Sequence, residues 1–423
     1  MGVNSALKAR TAELGLSQSE LVDCLNTAIE KLTGRYGTLS ERTLYNMLSG
    51  RTHWPQEKQR LALEAVFGCT AEELGFQRPS ATRRHTPKPE QQPVRRRAFL
   101  TSTAATAASA AIPSLVSGQT IGTTDVIRLR EKLDDLVSVD DHRGGHNALE
   151  TAALAGATYA IELQQQPASE RIRQRLYSIA ADFTVIAAFS CIDSFALGRA
   201  KLHLDQAATL AGLSQDSAMQ LSVWNVIAML AHHRMRPHEA VAAAHAAQHT
   251  AAARRDPFLA SLAHARTAIG YSDQQDRQAA LRSLGNAHDA LSRASDVPRP
   301  NWTSFYGLAE LKSLAAVVHI NLGEHEQAEA ASYQALGIVP LNFRRNRAHA
   351  AIYLAKAQLG QGDVEQACAS AHQVLDLMAG DPLTGRMRKH LGDFHRSLLA
   401  KAPDAPVTYE WGDRARFEWS RQA

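Results

Sequence analysis

Residues 301–340 read NWTSFYGLAELKSLAAVVHINLGEHEQAEAASYQALGIVP. A helical pattern rich in Leu and Ala breaks at Leu322–Glu326, where Gly323-Glu324 suits a short turn. Gln327-Ala328-Glu329-Ala330 then starts a second, Ala-lined helix. The arrangement recurs in both directions. Arg199-Ala200…Ala207-Ala208, Glu239-Ala240-Val241-Ala242, Gln278-Ala279-Ala280-Leu281 and Gln366-Ala367-Cys368-Ala369 each begin an Ala-rich helix. The turns between them fall at His232–His238, Asp273–Arg277 and Leu359–Asp363. Ala240, Ala279, Ala328 and Ala367 are spaced by 39, 49 and 39 residues. A helix pair cannot bury its own apolar face, so pairs repeated at such a period must stack.

Composition agrees. Hydrophobic residues make up 45% of the 423 positions and aromatics only 6%. Ala-rich, aromatic-poor chains favour helices packed closely on helices, which predicts an all-α protein. Four regions separate: a compact segment 1–76, a linker 77–123, a helical array 124–400, and a polar tail 401–423. The linker holds five of the fifteen prolines and the small-residue run Thr101–Ala111.

The formal charge of +4 is unevenly spread. Residues 1–76 sum to −1, residues 77–97 to +6, and the remainder to −1. The positive excess thus lies in one short segment, where a polyanion could use it. Four well-separated cysteines (Cys24, Cys69, Cys191, Cys368), with no CxxC, read as unpaired thiols in a reducing cytoplasm. No run of 18 apolar residues predicts a membrane span.

In the first segment, Gly15 suits the end of one helix, and Ser17 with Glu20 forms a capping box for the next. Further on, Ser40 suits the cap of a helix that buries Leu44 and Leu48 or Met47 and stops at Gly50. Its other side shows Arg42, Thr43, Tyr45 and Asn46, hydrogen-bonding side chains of the kind that meet base edges in a major groove. Arg51, Thr52 and His53 follow in a loop suited to phosphate contacts. Pro55 opens a helix over Gln56–Phe67, and Ala71–Leu74 makes a last turn.

These stretches, GLSQSEL at Gly15–Leu21, Ser40–Gly50 and EAVFGCTAEELGF at Glu64–Phe76, resemble an XRE-type (lambda-repressor-like) helix-turn-helix domain. One departure stands out: Val22–Leu39 is longer than that family's usual turn. The resemblance implies binding to double-stranded DNA through Ser40, Arg42, Thr43, Tyr45, Asn46, Arg51 and His53, with Arg95, Arg96 and Arg97 as a tethered basic arm. The near-neutral charge of residues 1–76 favours the competing assignment, an interaction module without DNA binding. Arg95-Arg96-Arg97-Ala98-Phe99-Leu100 also looks like a twin-arginine export signal, but about 95 residues precede it and the run after it is weakly hydrophobic.

The array resembles tetratricopeptide-type repeats, most closely over Asn301–Pro340 and Arg347–Met378, with the earlier units degenerate. The joint layout is similar in architecture to peptide-sensing bacterial regulators. That similarity implies a cytoplasmic transcription regulator, a homodimer, whose groove takes a peptide or small-molecule signal. Asn225, Arg266, Asn321, Arg347 and Tyr353 are the groove candidates by helical position. The bland assignment for each is an inter-helix hydrogen bond, and Trp224, Trp302 and Tyr306 read as packing. No phosphate-binding, nucleotide-fold, serine-hydrolase or HExxH motif occurs, so no enzyme, cofactor or metal is expected. His232, His233, His238, His245 and His249 lack a Cys or carboxylate partner in sequence.

Overall fold

The computed structural model describes residues 4, 6–8, 11, 18–33, 37–67, 69–77, 121–143, 147–297 and 299–420. Its regular elements are helices, and no strand occurs among the described residues. The chain divides into two compact units, residues 1–106 and 107–423.

The first unit contains α1 (Gln18–Thr33), α2 (Glu41–Leu48) and α3 (Glu57–Phe67). The Gly15 stop and the Ser17–Glu20 cap lie outside the described positions and side chains, as do Arg95, Arg96 and Arg97. Leu21, Leu25, Leu44, Met47, Leu63 and Leu74 share one core. Most of the extra length over Val22–Leu39 belongs to α1, and the buried Asn26 side chain ties that helix to the start of α2. The carboxamide of Asn26 accepts from the Leu39 amide at 2.8 Å and donates to the Leu39 carbonyl at 2.9 Å. The Gly37 amide also donates to the Asn26 carbonyl, and a Cβ on Gly37 would overlap the Asn26 side chain. Asn26 thereby sets where α2 begins. Asn26→Leu is expected to destabilise this unit by about 1–3 kcal/mol, because two backbone groups are left buried without partners. Thermal unfolding of residues 1–77 checks it, and an unchanged midpoint would contradict the role.

The second unit runs through α4 (Thr123–Arg143), α5 (Asn147–Leu163), α6 (Glu170–Asp193), α7 (Leu197–Ser214), α8 (Ser217–His233), α9 (Pro237–Gln248) and the short α10 (Ala251–Arg255). It continues with α11 (Pro257–Asp273), α12 (Arg277–Ser292), α13 (Leu308–Asn321), α14 (His325–Ile338), α15 (Arg344–Gln361), α16 (Val364–Leu377), α17 (Gly385–Lys401) and α18 (Pro406–Ser420). Consecutive helices pair as α6/α7, α8/α9, α11/α12, α13/α14, α15/α16 and α17/α18. The first members of successive pairs also pack side by side, from α6 through α8, α11, α13 and α15 to α17. Buried alanines at Ala240, Ala280, Ala328 and Ala367 let the helices approach closely. This is a stacked-hairpin solenoid with one inner and one outer layer.

Five of the six hairpin turns share one backbone solution, a left-handed residue at Phe195, Met235, Gln275, Gly323 or Gly362. Only the last two are glycine, the residue that adopts this conformation without strain. Two further features depart from the sequence expectation. The expected polar tail 401–423 is not one over its described residues: Pro406–Ser420 form α18, with Trp411 fully buried against Phe394. The wider 49-residue interval holds a 3-10 turn, Asn301–Thr303, in the segment before α13. Arg299 anchors that segment by two hydrogen bonds to Asp256, at 2.8 and 3.1 Å.

The inner layer curves until its two ends meet. Helix α15 packs against α4, and α17 against α6. A Cβ on Gly385, at the start of α17, would overlap the Ser194 carbonyl beyond the end of α6, so this contact needs glycine. By length and composition α6 could cross a membrane, yet 83% of its most apolar window is buried inside this unit.

Candidate functional site

Helix α2 is short and strongly two-sided. Ser40 caps it, accepting from the Thr43 amide at 3.3 Å and sharing a 3.0 Å hydrogen bond with the Thr43 hydroxyl. Leu44, Met47 and Leu48 are buried. Arg42 and Tyr45 are exposed and Asn46 half-exposed, and Arg51 and His53 project from the following loop. The Arg51 guanidinium lies 5.9 Å from the centre of the Tyr45 ring. The polar groups of Ser40 and Thr43 engage each other at the helix start, so Arg42, Tyr45 and Asn46 are the side chains free to reach outward. This face is compatible with groove readout, in which a helix presents hydrogen-bonding side chains from its first turns.

In the second unit, the inner helices surround a cavity of about 260 Å³. Helix α6 contributes Val185, Ile186 and Phe189, and α8 contributes Asn225 and Met229. Helices α11, α13 and α17 add Arg266, Glu310 and Arg386, and α15 adds Arg345, His349 and Tyr353. Trp302 and Phe305 enter from the segment before α13. Of the five groove candidates, Asn225, Arg266 and Tyr353 therefore come together. Asn321 and Arg347 do not line the cavity. Asn321 joins hairpins, donating to Ser272 Oγ at 3.0 Å and Asp273 Oδ1 at 2.7 Å. Arg347 donates to the Leu336 and Val339 carbonyls at 2.9 and 2.8 Å, satisfying the end of α14.

No protein-family model and no curated protein matches this chain.

Charges in the cavity are arranged rather than scattered. Asn225 accepts from Arg266 Nε at 2.8 Å and so fixes that guanidinium. Asp193, wholly buried at the end of α6, lies 3.0 Å from Arg386 and 3.6 Å from Arg345. Asp182 pairs with Arg130 at 3.0 Å, yet burial outweighs the pairing and pushes its carboxyl up to about 6. Burial likewise raises the Glu310 pKa against the pull of Arg266, Arg386 and Arg345. His233, His349 and His390 are held well below the usual histidine value, first by burial and then by neighbouring positive charge.

These shifts give a pH prediction. Unfolded histidines bind protons near pH 6.5, whereas these three resist protonation in the folded unit. Their contribution to stability is whole above about pH 6.5 and declines as the pH falls below it. Asp182, whose carboxyl lies near 6, acts in the opposite sense as the pH falls through that value, and the raised Glu310 shares its direction. The three histidines outnumber the two carboxyl groups, so the net effect of acid is a loss of stability. Calorimetry is expected to show a lower Tm for the second unit at pH 5 than at pH 7.5; a flat or rising Tm would contradict this assignment.

Sequence reasoning missed the ionic half of the cavity, because Glu310, Arg345, Arg386 and Asp193 converge from four different helices. The extra residues between Ala279 and Ala328 were a usable signal for Trp302 and Phe305. The histidines considered as metal ligands serve other ends: His232 bonds Asp273 at 2.6 Å, and His249 bonds the His245 carbonyl at 2.7 Å. Glu150, Cys191 and His203 do bring potential ligand atoms within 4.8 Å of one another. There, however, Glu150 contacts His203 at 2.9 Å and Arg199 at 3.4 Å, while the Cys191 thiol is pushed up to about 12.

Proposed function

We propose that this chain is a transcription regulator of the XRE type. Its first unit binds duplex DNA by setting α2 in the major groove, and its second, tetratricopeptide-like unit senses a ligand in its cavity. The carrying observation is α2 itself, capped by Ser40, anchored by Leu44, Met47 and Leu48, and outward-facing with Arg42, Tyr45 and Asn46. Arg51, His53 and the basic Arg95–Arg97 segment supply phosphate contacts in this reading. It assigns a cytoplasmic homodimer, whose two α2 helices would read half-sites about one helical turn apart, roughly 34 Å. It assigns no catalytic chemistry and no cofactor.

The test is fluorescence anisotropy with duplexes selected from a random pool. If Arg51 and Arg95–Arg97 contact phosphates, log affinity falls with log salt at a slope of roughly −3 to −4 per protomer. Affinity that is indifferent to salt, or absent at low salt, would overturn the reading.

The near-neutral charge of residues 1–76 favours a second reading, a tetratricopeptide-type scaffold whose first unit docks a protein. Neutralising Arg95–Arg97 separates the two. It weakens DNA association and spares an apolar docking contact.

A further inference from the structure

The cavity is lined by a buried guanidinium that lacks a carboxylate partner among the described residues. Arg266 is buried and bonds Asn225 through Nε; among the described residues no carboxylate lies within ion-pair distance of its guanidinium. Arg386 donates from Nη2 to His349 Nε2 at 3.1 Å, and its own Nε is buried with no hydrogen-bond partner. A guanidinium can only donate, so His349 accepts at Nε2 and carries its proton on Nδ1. That Nδ1 is also buried with no hydrogen-bond partner. Both atoms are sealed from the cavity by their neighbours, so the donor left to meet an acceptor-bearing ligand is the remainder of the Arg266 guanidinium.

The charge of the wall points the same way. Among the described residues three guanidinium groups, Arg266, Arg345 and Arg386, line the cavity; Arg345 and Arg386 lie against Asp193, whereas Arg266 has no carboxylate within ion-pair distance. The rest of the wall is apolar and aromatic, formed by Val185, Ile186, Phe189, Met229, Trp302 and Phe305. A volume of about 260 Å³ suits a metabolite-sized ligand.

Resting on the reading of this cavity as the signal site, we infer that it binds a small organic anion, a carboxylate carried on an apolar or aromatic body. Arg266 holds the anion by charge-assisted hydrogen bonds, Arg386 adds its positive charge, and Phe189, Trp302 and Phe305 enclose the body. Arg345 and Asp193 keep Arg386 in place. Glu310 opposes the anion and so limits its affinity.

The test titrates the full-length protein calorimetrically, without DNA, with phenylacetate, benzoate and hexanoate, and with phenylacetamide and inorganic phosphate as controls. At least one carboxylate is expected to bind saturably and at least tenfold more tightly than either control. Arg266→Met is expected to lose at least tenfold. Glu310→Gln removes the opposing charge at constant size and is expected to tighten binding at least threefold, a gain that a damaged fold cannot produce. Equal affinity for phenylacetate and its amide would overturn the inference, as would phosphate binding as tightly as the carboxylates. Binding of no carboxylate, or Glu310→Gln failing to tighten it, would do the same. Because no DNA is present, failure here leaves the salt-dependence test of the first unit standing, and failure of that test leaves this one standing.

Discussion

Asp193→Ala is expected to lower the stability of the second unit by about 3–5 kcal/mol, seen as a fall in Tm of roughly 6–15 °C. Asp193 is fully buried at the end of α6, and the guanidinium groups facing it come from α15 and α17. Removing the carboxylate leaves two positive charges side by side in an enclosed site. The penalty for such a broken pair far exceeds the net worth of the intact one, because desolvation is no longer compensated. A double variant, Asp193→Ala with Arg386→Met, should recover part of the loss, since one uncompensated charge goes with it. A single-variant loss below about 1 kcal/mol would show that Arg345 and Arg386 are satisfied without Asp193.

Substituting both Arg42 and Asn46 by alanine is expected to abolish sequence-selective DNA binding by the first unit. Each side chain that reads a base edge discriminates by about 1–3 kcal/mol, so the pair is worth roughly 30-fold to 10⁴-fold in affinity for a selected duplex. Leu44, Met47 and the Ser40 cap are untouched, so the melting curve should hardly move. Neutralising Arg95–Arg97 has a different signature, weakening every duplex alike and flattening the salt dependence. If the double alanine variant still prefers the selected duplex over a scrambled one, α2 is not the reading element.

The helical class and the hairpin starts were legible because Ala and Leu recur at helical spacing around polar turns. Only the last hairpins looked regular, for a definable reason. The left-handed turn residue is Gly323 and Gly362 there, but Phe195, Met235 and Gln275 earlier. The same backbone is built with residues that carry no turn signature, at a local cost of about 1–2 kcal/mol each. Residues 401–423 were misread because their charges hide one decisive apolar side chain, Trp411. Asn225, Arg266 and Tyr353 could be singled out as polar groups on inner helices. Asn321 and Arg347 matched the same pattern and instead satisfy neighbouring hairpins. Local pattern records that a polar residue sits on a helix, whereas which one faces the lumen depends on superhelical curvature, a sum of small rotations between repeats. Asn26 escaped notice because its two bonds span thirteen residues of chain.

A linear stack of repeats melts like a zipper, fraying from whichever end is weaker, because each unit knows only its neighbours. Here α4 and α6 touch α15 and α17, so no unit is terminal in that sense and partial opening forfeits contacts at both ends. The array should therefore denature as one cooperative block, with amide exchange in its outermost inner-layer helices nearly as slow as in the middle. A molecule lodged at the centre touches helices from almost every repeat, so its binding energy is shared by the whole block.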